Sequence, residues 1–334
     1  MLAIKDLDHL AARLHGRRAR MAEGARLYGF CGLASEAALA AALFPGAGIS
    51  ASAGIQRRLA EDLFAEIRGI AGALAETRAA FLEWLAARLQ LENIKVMIRG
   101  IYAGAPPAEI RRLSAGPGAY GRDPAGAKSA AELLAALPPG PLRNSLERAY
   151  GLYGAAGNLF FLEAAADREY FVELLARAAV LPAPDGSAAR GLAAQEADIF
   201  HLALVARGKF FHGFEAKDLL ALHVPGSAIS RRRFSRMLTA PDPEAAFGLA
   251  AGLVFDPAEG AAGGPEKAGW RRYVRLANRA FRGSNVDFGI AAGYAALRRL
   301  EAANLITAAE GLRLGVPAAE FRARLINSRE GEGV

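Results

Sequence analysis

The chain has 334 residues, 53% of them apolar, and a formal charge of +7. That length accommodates two or three units of ordinary size with full cores, and the apolar share excludes a disordered chain. One cysteine, Cys31, excludes an internal disulfide framework and suits a reducing compartment.

The opening stretch MLAIKDLDHL has no basic segment followed by an apolar core, so no secretory signal is expected. Residues 37–55 form an uncharged run long enough, on paper, to cross a bilayer. Phe44-Pro45-Gly46 breaks it, and its Ala, Gly and Ser residues gain little in lipid, so no span is expected. Helix formers dominate the rest of the chain and alternating β-branched runs are few, which predicts an all-α fold.

The stretch QLENIKVMIRGIYAGAPPAEIR, residues 90–111, sets Leu91, Ile94, Ile98 and Ile101 on one helical stripe. Gly104 stands where a left-handed helix cap belongs, and Pro106 where proline often follows one. PPAEIRRL then restarts a helix, with proline in its first turn and Glu109 near its positive end. EAANLITAAEGLRLGVPAAEFR, residues 301–322, repeats each device with Leu305, Ala309 and Leu312, then Gly315, Pro317 and Glu320. At an offset of 211, residues 90–113 and 301–324 are identical at seven of 24 positions. A weaker copy, DIFHLALVARGKFFHG, lies between them. Asp198 matches Gln90 and Glu301, His201 matches Asn93 and Asn304, and Arg207-Gly208 matches Arg99-Gly100.

The equivalent glycines Gly100, Gly208 and Gly311 are 108 and 103 residues apart, so the repeating unit is a domain-sized helical module. This predicts three modules, over residues 1–118, 119–240 and 241–334. SAGPGAYGRDPAGAKS and TAPDPEAAF read as linkers, and FDPAEGAAGGPEKAG as a loop inside the third module.

Several motifs look chemical and are discounted. GPGAYG, residues 116–121, matches a dinucleotide fingerprint by letter, but a helical segment precedes it and Pro117 removes a donor. GAKS, residues 126–129, lacks the glycine before lysine that a phosphate loop needs. His201, His212 and His223 could share a helix face, but neighbours would then lie roughly 16 Å apart, too far for one metal ion. They read as structural, and Cys31 as a small core residue. No catalytic constellation, cofactor site or metal site is expected. The charge favours acidic partners, yet the clusters Arg17, Arg18 and Arg20, and Arg231, Arg232 and Arg233, are short and lack interleaved stacking aromatics.

The three repeat phrases, with FLEAAADREYFVELL, HVPGSAIS and RLYGFCGLASEAALAAALF, resemble the V/A-type rotary ATPase subunit called C in archaea and bacteria and d in eukaryotes. The likeness spans nearly the whole chain. Glu310 departs from it, standing where the family usually has a basic residue, as does His201 in place of Asn. GFCGLAS also lacks the usual arginine-rich segment.

The resemblance implies three helical modules in a funnel about a pseudo-threefold axis. It implies a non-catalytic central-stalk subunit on the cytoplasmic face of a membrane, with the shaft subunits and the membrane rotor ring as partners. Torque would pass through it between ATP turnover and H⁺ or Na⁺ transport. No small-molecule substrate, cofactor or nucleic acid is then expected. Asn93, Arg99, Gly100, Gly104, Asp198, Arg207, Gly208, Glu301, Asn304, Gly311 and Gly315 are expected to act structurally. A basic helical nucleic-acid-binding protein or scaffold is the alternative from another class, predicting steeply salt-dependent binding. An enzyme would need a polar pocket that no motif announces.

Overall fold

The computed structural model describes residues 4–114, 126–153, 158–183, 185–283 and 287–326. The fingerprint-like GPGAYG and most of the first expected linker lie outside them. The fold is all-α, with no strand among the described residues beyond an isolated bridge between Ala251 and Phe255. In chain order the helices begin with α1 (Ile4–Arg18), α2 (Gly24–Phe30), α3 (Glu36–Leu43), α4 (Ser52–Ala71), α5 (Glu76–Tyr102) and α6 (Pro107–Leu113). Next come α7 (Ala130–Ala136), α8 (Pro141–Tyr153), α9 (Leu159–Ala179) and α10 (Asp185–Ala203), which continues as a π-helix (Leu204–Phe211). The shorter α11 (Ala216–Leu220), α12 (Arg231–Thr239), α13 (Pro243–Gly248) and α14 (Pro257–Gly263) follow. The chain closes with α15 (Pro265–Gly283), α16 (Gly289–Arg313) and α17 (Ala318–Arg322).

The chain divides into two compact units, one made of residues 1–144 and 294–334, the other of residues 145–293. In the first unit, α4 buries Ile55, Leu59, Leu63, Ile67 and Ile70, a helical stripe that packs on α5. Leu27, Phe30 and Leu39 share a core with Leu305, Ala309 and Phe321 from the far end of the sequence. Each buried Leu or Phe here contributes about 1.5–3 kcal/mol by leaving water.

In the second unit α10 packs tightly on α9 and α15. A Cβ on Gly269 would come within 3.0 Å of Ile199. Buried polar groups tie the elements: Gln195 Nε2 donates to the carbonyls of Val254 and Gly269, both at 2.9 Å. Tyr273 donates its hydroxyl to Glu196 at 2.6 Å, and Asp185 accepts from the Phe288 N–H at 3.0 Å.

Two segments expected to be loops are helical. Within FDPAEGAAGGPEKAG, Asp256 Oδ1 accepts from the N–H groups of Ala258 and Glu259, Pro257 fills the first turn, and α14 forms. Gly264, at φ 85°, ends it before Pro265 opens α15. In TAPDPEAAF, Asp242 caps Ala245 at 2.7 Å and Pro243 opens α13. In both cases Asp-Pro is a helix start, and the alanines after it favour the helix.

Candidate functional site

The repeat positions can be followed atom by atom. α5 ends with Gly104 at φ 65°, its N–H on the Ile101 carbonyl, while the Ala105 N–H reaches back to Gly100 at 2.9 Å. α16 ends likewise: Gly315 is at φ 63°, its N–H bonds Leu312, and the Val316 N–H bonds Gly311 at 3.0 Å. These paired bonds satisfy carbonyls that a bare helix end would leave open, and the left-handed φ favours glycine. The middle copy ends one residue later. Its π-helix carries the extra residue, so Gly213, at φ 69°, takes the capping place and the Phe214 N–H reaches Gly208 at 2.9 Å.

After each cap a short helix folds back onto the glycine one turn upstream. A Cβ on Gly100 would lie 2.7 Å from Ile110, one on Gly208 2.6 Å from Leu219, and one on Gly311 2.7 Å from the Phe321 ring. All three apolar partners are buried. Only glycine lets the return helix seat that deeply. The first-turn acids of these helices are Glu109, Asp218 and Glu320. Sequence reasoning missed Leu219 and Asp218 as counterparts, because the extra π-helical residue shifts them out of ungapped register.

Polar side chains on α16 and α10 hold the chain that follows each. Asn304 Nδ2 donates to the Ile326 carbonyl at 2.8 Å, and its Oδ1 accepts from the Ile326 N–H at 3.0 Å. His201 Nε2 accepts from the Val224 N–H at 3.0 Å, which places the ring proton on Nδ1, 3.8 Å from Asp198 Oδ1. Asp198 itself accepts from Ala228 and Ile229 in the Pro-Gly turn, at 3.1 and 2.8 Å. Asn93 is buried and its Nδ2 has no partner among the described residues. Arg207 pairs with Glu266 at 3.5 Å, and Arg99 lies close enough to Glu92 to favour that carboxylate's charged form.

The expected wide separation of the histidines does not hold. His201 and His223 stack with ring centroids 4.9 Å apart, because the chain leaves the helix at Gly213 and turns back. His223 Nε2 lies 2.9 Å from the Ile229 carbonyl. Burial lowers the pKa of both rings, more strongly than Asp198 opposes it at His201. No group of three His, Cys, Asp or Glu side chains able to hold a metal occurs among the described residues. His212 stands apart, stacked on Phe214.

The first unit holds a polar cluster that no motif announced. Glu66 on α4 receives Arg17 at 3.1 Å, the Tyr294 hydroxyl at 2.7 Å and Arg298 at 2.9 Å. Arg298 also pairs with Glu301 at 2.5 Å, and Glu301 accepts from the Ala22 N–H at 2.5 Å. Burial raises the Glu301 pKa against the pull of Arg298, and burial with the Glu66 bond raises that of Tyr294. Beside the cluster opens a cleft of about 400 Å³ that also takes in Arg20, Arg26, Arg58 and Phe44. These residues lie far apart in sequence, so spacing could not reveal them. Glu310, the departure from the family pattern, accepts from Ser52 Oγ, from Gln56 at 2.5 Å and from Arg313 at 2.7 Å. Burial would raise its pKa, but these partners hold it below the usual carboxylate value.

No helix among the described residues is long and apolar enough to cross a membrane. Among curated proteins no match to the chain is found. A family profile described as the ATP synthase (C/AC39) subunit matches residues 46–324. That span takes in all three repeat helices, their capping glycines and the return helices, and the chain belongs to the ATP synthase (C/AC39) subunit family.

Proposed function

We propose that this chain is the non-catalytic central-stalk subunit of a V/A-type rotary ATPase, seated between the shaft and the membrane rotor ring at the cytoplasmic face. Torque passes through it between ATP turnover and H⁺ or Na⁺ transport. The observation that carries this reading is the family match over a span containing three copies of one helix–cap–return unit. Three modules, over residues 1–118, 119–240 and 241–334, then surround a pseudo-threefold axis and leave a socket for a helical shaft. Close packing supports the role, because a body that transmits torque must resist deformation. Gly100, Gly208 and Gly311 serve it by seating the return helices. Gly104 and Gly315 close the helix ends, Asp198 and Asn304 fix the chain within their modules, and Glu301 ties the third module to the first through Ala22. Arg99 and Arg207 pair with acids at the surface of the body.

The test is size-exclusion chromatography of the purified chain with its cognate shaft subunit, followed by ATPase and ion-transport assays of the motor with and without it. A stable socket buries more than about 1,000 Å², enough for the pair to co-elute. Moderate salt is expected to slow association more than it loosens the finished complex. Failure to associate, together with unchanged coupling on omission, overturns the reading. Tight, salt-sensitive binding to RNA or DNA would replace it with a nucleic-acid role.

A further inference from the structure

The cleft beside the Glu66 cluster has a composition that packing alone does not call for. The turn after α1, helix α2 and two long helices, α4 and α16, bring four arginines to it: Arg20, Arg26, Arg58 and Arg298. Two carboxylates, Asp62 and Glu301, line it as well, leaving two positive charges uncompensated. The ion pairs show where the excess sits. Arg298 is held by Glu301 and by Glu66 of the neighbouring cluster, and Arg58 is held by Asp62 at 2.9 and 3.0 Å. Arg20 and Arg26 have no carboxylate partner among the described residues. Arg26 instead donates to the Arg20 carbonyl at 2.7 Å, which keeps the two guanidinium-bearing segments together at the rim.

Apolar residues line the cleft as well: Leu43, Phe44, Pro45, Leu59 and Leu305. The Arg58 guanidinium lies 5.9 Å from the Phe44 ring centre, so the cationic and apolar walls meet there. At about 400 Å³ the cleft is the size of a small-molecule site and too small for a helix.

We propose that this cleft binds a phosphate monoester carried on an apolar body, with the phosphate at Arg20 and Arg26 and the apolar part against Phe44 and Leu59. A phosphomonoester carries about −1.5 to −2 charge at neutral pH, which matches the two uncompensated positive charges. Guanidinium forks bind such oxygens two at a time. A carboxylate ligand is a poorer match: it would neutralise only one of the two charges, and the cleft already supplies two carboxylates to the other arginines. Recognition here uses side-chain forks and no glycine-rich backbone cradle, so it does not contradict the lack of a nucleotide loop. It also does not depend on the rotary role.

The experiment is isothermal titration of the full chain with phenyl phosphate and with inorganic phosphate. It is paired with flotation on phosphatidylcholine vesicles with and without phosphatidic acid. The wild-type chain is expected to bind phenyl phosphate saturably and more tightly than inorganic phosphate. Arg20→Gln with Arg26→Gln is expected to weaken that binding at least about tenfold, since charged hydrogen bonds are lost. Both arginines are exposed, so the double variant is expected to keep the wild-type melting curve. Phe44→Ala is expected to erase the preference for phenyl phosphate over inorganic phosphate while leaving the latter's affinity unchanged. Binding of the soluble ester without vesicle flotation supports a free organic phosphate as the source. Flotation dependent on phosphatidic acid and on both arginines supports a lipid headgroup. No saturable binding in either arm overturns the proposal, as does binding that the double variant retains in full.

Discussion

The first unit ends its two repeat helices in regular α-helical turns, at Gly104 and Gly315, whereas the second ends its copy in a π-helix, at Gly213. Despite the extra residue, Gly208 still meets Leu219 as Gly100 meets Ile110 and Gly311 meets Phe321. The insertion has been absorbed by the helix geometry and not by the contact. What the repeat preserves is therefore the seat of the return helix on a bare backbone, and the regularity of the long helix is expendable. The polar anchor differs between the units too. The first uses the Asn304 amide, which does not titrate, and the second uses an imidazole.

Substitution at the seat should give the largest effect. Gly311→Val drives a branched side chain into the Phe321 ring, which has no flexible end to swing away, and is expected to cost about 3 kcal/mol. Gly208→Val meets mainly the methyl ends of Leu219 and is expected to cost less. Urea unfolding of both variants checks this, and unchanged stability in both would remove the seat as the shared constraint. Next comes the anchor. Asn304→Ala strips two hydrogen bonds from Ile326 and should cost about 2 kcal/mol by the same measurement.

The cap should matter somewhat less. Gly315→Val forces a branched residue into φ 63°, at about 1–2 kcal/mol, with open space around it. A variant as stable as the parent would mean the helix does not end there. The smallest effect is one of pH and belongs to the second unit alone. His201 and His223 have native pKa values below the ordinary 6.5, so under mild acid the unfolded chain binds more protons than the folded one. Their stabilisation is complete above 6.5 and is lost as the pH falls from there toward the lowered native values. The slope is at most roughly 1.4 kcal/mol per pH unit for His201. His201→Asn, which installs the residue found in the other two copies, is expected to flatten that slope. Unfolding midpoints at several pH values between neutral and mildly acidic provide the check.

Local signals made much of this readable before the fold was known. Gly104 and Gly315 announced caps because proline and a first-turn acid followed them at fixed distance, and apolar spacing placed the buried stripe of α5. Asp242-Pro243 and Asp256-Pro257 carried equally good start signals but stood among prolines and glycines that read as breaks. The histidine pair was unreadable because proximity depended on a reversal of the chain, not on helical rise. Glu66 was unreadable for a stronger reason: its partners Arg17, Tyr294 and Arg298 come from both ends of the sequence.

That last fact bears on how the protein is made. Residues 145–293 form a contiguous unit, whereas the core of the other unit joins Leu27, Leu39 and Ile55 to Leu305, Ala309 and Phe321. A ribosome moving at about 5–20 residues per second needs roughly 10–40 s to deliver the last 190 residues, 145–334, after residue 144. For that time the nascent N-terminal helices lack the wall that will cover them, and the inserted unit is complete before that wall arrives. Apolar surface held open so long invites chaperones, and in their absence aggregation. Trimming even the final two helices would make this interval permanent.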